Sequence, residues 1–174
     1  MNADTAASEL RTGNAAPVHP FQRAFLGRDV DAIAEALAPD VVLNSPIIST
    51  RFRGRDEVAG LFGAVLDALE DFRYTDTIEA ESTLVVAFKA RAGRQELQGV
   101  DLFRFDEDGK IGEITVLIRP LAALTALASA LGPRLAPDSR ARTFLIRSLS
   151  APLVGVTRVA DPIAARLVLG RRDR

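Results

Sequence analysis

A single carboxylate stands among large apolar side chains in the middle of this sequence. Between Leu97 and Phe105 polar and apolar residues alternate, so Leu97, Gly99, Asp101, Phe103 and Phe105 share one face of a strand. Gln98, Arg104 and Asp106 take the opposite face. The first set points inward, where an unpaired charge is expensive. Burial raises a carboxylate's pKa, which keeps Asp101 protonated as a hydrogen-bond donor or poises it as a base. The plainer alternative is a structural aspartate paired with a hydroxyl, an arginine or a backbone amide.

Other residues could join it. Tyr74 is the only tyrosine, on a strand whose alternation groups it with Phe72, Asp76 and Ile78. Its hydroxyl could meet a ligand or Asp101, or reach the rim from a core position. Asn44 and Ser45 precede Pro46 at a strand end, where a bulge turns either inward or an Asx-type turn stops the strand. His19, the only histidine, precedes Pro20 at a helix start. It could act as acid or base at a pocket mouth, or sit on the surface. No cysteine occurs, one histidine cannot build a metal site, and the Asp106-Glu107-Asp108-Gly109 turn lacks calcium-loop spacing. There is no glycine-rich phosphate loop either. The expectation is therefore no cofactor and no metal.

The elements that must position these residues follow from periodicity. Pro20 and Gly27 bracket a short helix with Phe21, Ala24 and Phe25 on its apolar face. Asp29 caps a second helix, which Pro39-Asp40 stops. Val41 to Asn44 reads as a strand, and Ile47 to Phe52 as a short extended piece. Gly54 precedes a third helix with the stripe Val58, Leu61, Phe62, Val65, Leu66 and Leu69. From Phe72 the period becomes two, giving four long strands joined mostly by tight turns. Pro120 to Leu131 is a helix with almost no charge, which seeks burial. The predicted fold is α+β. A curved mixed, mostly antiparallel sheet wraps around the N-terminal helices as a cone, and a C-terminal helical extension follows. Such mouths are common ligand sites.

Several segments also resemble a known superfamily. The run Gly99-Val100-Asp101-Leu102-Phe103-Arg104-Phe105-Asp106-Glu107-Asp108-Gly109-Lys110-Ile111 is similar to the hairpin of nuclear transport factor 2-like proteins. These include the ketosteroid isomerases and SnoaL-like polyketide cyclases. Further matches are Gly27 to Ile33, Leu37 to Pro46 and Phe52 to Val58, so the resemblance spans about Val18 to Leu124. It implies a ligand-binding cone in which Asp101 falls where ketosteroid isomerases keep a protonated aspartic acid. Their general-base aspartate falls on Ser45, and their oxyanion tyrosine on Phe21. A serine is a poor base without a partner, and phenylalanine donates no hydrogen bond. In the superfamily's epoxide hydrolases an asparagine falls on Asn44, but the acidic positions fall on Arg91 and Val116.

Composition bounds the rest. With 174 residues and 48% hydrophobic content the chain affords one domain with a sizeable core. The net charge of −1 gives no reason to expect nucleic acid. Residues 134–174 hold nine arginines and three aspartates, a charge of +6, which leaves −7 on residues 1–133. The reading is a disordered leader over 1–16, a cone domain over 17–136 and a basic amphipathic extension over 137–174. That extension packs on the acidic domain or a second subunit in preference to an anionic membrane surface. No run is apolar enough to span a membrane and no signal peptide is visible, so a cytoplasmic location is expected.

The expected function is binding of an apolar, keto-bearing small molecule, with cofactor-independent isomerase, cyclase or lyase (dehydratase) chemistry as its extension. Asp101 is the candidate catalytic residue. Asn44, Ser45, Tyr74, Phe103, Phe21 and His19 are the candidate ligand contacts, and a homodimer is the expected assembly. The alternative is a non-catalytic dimerisation or membrane-surface module of the same fold.

Overall fold

A computed structural model describes residues 18–135. The expected leader and basic extension lie outside the described residues. Helices α1 (Pro20–Leu26) and α2 (Val30–Ala36) lead into strand β1 (Leu37–Asn44), a short β2 (Phe52–Arg53) and helix α3 (Arg55–Ala68). Strands β3 (Glu70–Ala80), β4 (Thr83–Ala92), β5 (Gln95–Phe105) and β6 (Ile111–Arg119) form a meander, and helix α4 (Leu121–Leu135) closes the domain. The six strands make one sheet in the order β2-β1-β6-β5-β4-β3. Only the β1–β6 pair is parallel. Among the described residues no helix is long and apolar enough to cross a membrane.

Local chemistry sets the helix starts. His19 caps α1: its Nδ1 accepts from the Phe21 amide at 3.2 Å, while its own amide donates to Gln22 Oε1 at 3.1 Å. The expected mouth residue is thus a reciprocal cap, its ring 5.0 Å from that of Phe105. Asp29 caps α2 by accepting from the Ala32 amide at 3.0 Å. Helix α2 ends at Ala36, earlier than its expected stop, and Pro39 and Asp40 lie within β1. There the register with β6 shifts between Leu37 and Val42, which accommodates a residue without a backbone N–H.

Two further expectations change. Asp76 and Ile78 do not share the inward face with Tyr74. Tyr74 pairs with Phe88 but Asp76 with Ala87, so a bulge at Thr75 adds one residue and reverses the facing beyond it. Ile78 is consequently 65% exposed, and Thr77 instead accepts from buried Gln22 at 3.2 Å. The last helix also runs past Gly132 and Pro133 to Leu135. Arg134 donates to the carbonyls of Ala130 and Asp67, tying that last turn to α3.

The concave face of the sheet is covered in two parts. Phe21, Phe25, Ile33 and Phe62 from α1–α3 pack on Leu84, Val86, Phe103 and Ile114. Leu127 and Leu131 of α4 pack on Phe88, Ala90 and Leu97 at the other end. Phe88 crosses to Gly99, the residue opposite it on β5. A Cβ on Gly99 would stand 2.6 and 2.8 Å from Cε1 and Cε2 of that ring, and closer still to Cζ.

Two outcomes follow from these contacts. Gly99→Ala should lower stability in chemical denaturation by about 1–3 kcal/mol through overpacking, and Phe88→Leu added to it should recover part of that loss. Burial, opposed by Glu79 and reinforced by Arg23, lowers the His19 pKa below 6.5. Its cap therefore contributes stability above pH 6.5 that is lost as pH falls through the lowered value. In acid titrations followed by circular dichroism, His19→Asn should keep a capping oxygen and lack that step.

Candidate functional site

Between the two helix groups lies a cavity of about 60 Å³, room for several waters. Phe25, Leu61, Phe62 and Val65 wall one side, Phe72, Phe88, Val116 and Ile118 the sheet side, and Leu127 and Leu131 of α4 close it. Leu43 of β1 and, just beyond that strand, Ser45, Pro46 and Ile47 complete the lining. Among the described residues, Asp101 is the only charged side chain that lines it.

Asp101 arrives there by register. It sits on β5 directly between Val86 of β4 and Val116 of β6, so two valines flank the carboxyl in its own row. The residue is 7% exposed, and no hydrogen bond reaches its carboxyl among the described residues. Burial pushes its pKa from 3.8 up to about 7. A carboxyl of that strength exists in both protonation states near neutrality. It can donate to a carbonyl oxygen when protonated or take a proton from an acidic carbon when ionised.

Ser45 also lines the cavity. Its Oγ accepts from the Ile47 amide at 3.1 Å, which leaves the hydroxyl proton free to donate. Its neighbour Asn44 does not reach it. Strand alternation sends Leu43 inward and Asn44 outward, where Nδ2 donates to Glu113 Oε1 at 2.9 Å and Thr115 Oγ1 at 3.0 Å. Phe103 points inward but at the other end of the core. There it meets fully buried Phe21 with ring centroids 4.9 Å apart, and neither lines the cavity. His19 lies outside the cavity at the α1 cap.

Tyr74 borders the site without lining it. Its ring stands edge-on to Phe72 at 4.9 Å and tilts against Phe25 at 6.5 Å. Its hydroxyl is buried with no hydrogen-bond partner among the described residues, a cost of about 1–3 kcal/mol unless something repays it. Burial first, and the charge of Asp101 second, push its pKa well above the usual tyrosine value.

In the sequence the α3 stripe reads only as core and α4 only as a helix that seeks burial. Both supply cavity wall, through Leu61, Phe62, Val65, Leu127 and Leu131. The uncharged length of α4 was the available signal. Among the described residues no group of three metal-ligating side chains converges.

The raised pKa of Asp101 has a thermodynamic consequence. Its folded-state value lies above the ordinary 3.8, so the group's contribution is complete below pH 3.8 and is lost as pH rises through about 7. Asp101→Asn should match wild type in acid and exceed it in stability above neutrality, by a few kcal/mol on an order-of-magnitude basis. Denaturant midpoints at several pH values measure this.

Comparison with known proteins agrees with this architecture. A steroid delta-isomerase from Pseudomonas aeruginosa is 32% identical, with a TM-score of 0.64 over 79% of this chain and 95% of that one. A cystatin-like-fold protein from Silicibacter pomeroyi DSS-3 is 29% identical, with a TM-score of 0.66 over 74% and 90%. An epoxide hydrolase/cyclase-like enzyme of salinomycin pyran-ring formation shares the fold at 20% identity, with a TM-score of 0.50 over 68% and 95%. No curated protein matches. The sequence model of the SnoaL-like domain matches residues 18–114, and the chain belongs to that family, with the nuclear transport factor 2-like fold.

Proposed function

We propose that this domain binds a small, apolar, keto-bearing molecule and moves a proton on it, in an isomerisation, cyclisation or dehydration. The observation that carries this reading is Asp101, a lone ionisable group with a pKa of about 7 in an otherwise apolar cavity. The likeness to a steroid delta-isomerase, whose name describes a double-bond shift, points the same way. Asp101 is the proton-transfer group and Ser45 donates a hydrogen bond that orients the ligand. No acid stands at Ser45, so a single carboxyl must take the proton and return it. At about 60 Å³ the cavity is smaller than the roughly 150 Å³ that holds a benzene ring, so even a single ring enters only as Leu127 and Leu131 move with α4.

The test uses β,γ-unsaturated cyclohexenone in deuterated water, followed by proton NMR, with a β,γ-unsaturated ketosteroid alongside. Wild type should accelerate the double-bond shift over buffer. Asp101→Asn should reduce kcat by roughly 10²–10⁴-fold, as expected for loss of general acid–base catalysis. Ser45→Ala should act mainly on KM. Turnover equal in wild type and Asp101→Asn, or a wild type no faster than buffer, removes the proton-transfer reading.

A further inference from the structure

Two polar groups without hydrogen-bond partners face one apolar surface. Tyr74 pairs with Phe88 across β3 and β4, and Phe88 pairs with Gly99 on β5. Asp101 is the next inward residue along β5. The two side chains therefore start two strands and two residues apart on one face, a backbone separation of about 12 Å. Of the inward residues on β3, only tyrosine carries a hydroxyl across most of that span. The aromatic contacts with Phe72 and Phe25 hold the ring in place. The hydroxyl is shielded from solvent and makes no hydrogen bond among the described residues.

We propose that Tyr74 is a positioning residue for Asp101: when the carboxyl ionises, the Tyr74 hydroxyl, which makes no hydrogen bond in the structure among the described residues, turns to donate one to it from behind the cavity wall. That bond holds one oxygen away from the cavity and presents the other to the ligand. It also favours the ionised form, so it tilts Asp101 toward acting as a base. The inference rests on Asp101 as the proton-transfer group proposed above, and assigns Tyr74 to the carboxylate instead of the ligand. Desolvation alone shifts Asp101, and the one charge acting on Tyr74 is that of Asp101. Among the described residues, no other ionisable group from the packed strands or from α1, α3 or α4 enters the pair. His19 responds instead to Glu79 and Arg23.

The sequence supplies its own probe. With one tyrosine and no tryptophan, the near-ultraviolet emission of the intact protein comes from Tyr74 alone. A carboxylate that accepts a proton from excited tyrosine quenches it. Emission should therefore fall as Asp101 ionises, with a midpoint below the value of about 7 that burial alone gives, since the bond favours the charged form, and stay flat in Asp101→Asn. In a carboxyl-carbon NMR titration, Tyr74→Phe should make Asp101 roughly tenfold weaker as an acid, since the lost bond favoured its charged form. A wild-type emission flat from acid to neutral pH, a step that survives Asp101→Asn, or an Asp101 midpoint unmoved by Tyr74→Phe each overturns the inference. The two readings fail separately. An emission step with ketone turnover unaffected by Asp101→Asn keeps the hydrogen bond and removes the proposed function. Asp101-dependent turnover with flat emission does the reverse.

Discussion

The pairing register of the β3–β6 meander is the constraint on which the site depends. Tight connections at residues 81–82 and 93–94 fix how β3, β4 and β5 meet, and the turn at 106–110 fixes β6. Side chains alternate strictly, so a slip of one residue would put Val100 inside and Asp101 in water. Asp101 cannot by itself hold its position, because an uncompensated carboxyl resists burial. The inward rows around it, Leu84 with Phe103 and Phe88 with Gly99, hold it there. The energy that buries the acid comes from the apolar rows on either side of it.

Those rows are covered by different helices. The Phe21–Phe103 end belongs to α1–α3 and the Leu97–Leu127 end to α4 with the last turn of α3. The cavity is the seam between the two groups, lined by residues of both. This explains how a densely packed domain keeps a void beside an acid. The aromatic side chains that fill one end project from α1 and the middle of α3, α3 reaches the α4 cluster through the smaller Ala64, Val65 and Ala68, and α4 approaches from the other side of the seam.

Much of this was legible in the sequence because strand alternation is a strong local signal. The inward placement of Asp101, the hairpin turns and the α3 stripe all follow from the period. Orientation at irregular points was not. The direction of Asn44 and Ser45 depends on where β1 ends relative to β6, a nonlocal pairing. The reversal at Thr75 depends on one extra residue in β3, which the alternation of Phe72, Tyr74, Asp76 and Ile78 conceals. Phe21 and Phe103 carry the right pattern for a pocket, but depth along the cone is set by which helix covers which row. His19 was visible only as a histidine before a proline. Its capping role needs the reciprocal glutamine three residues later, Gln22.

The bulge at Thr75 has an effect outside the pocket. Among the described residues strand β3 is an edge of the sheet, with no strand paired to its outer side along its eleven residues. A long flat edge is a template for the strands of other molecules. Here the extra residue bends the strand and breaks its regular row of amides and carbonyls halfway along. Charges at Glu70, Asp71, Arg73, Asp76 and Glu79 stud the same stretch. The irregularity that frees Thr77 for Gln22 also gives the domain a border on which fibrillar stacking finds no continuous purchase.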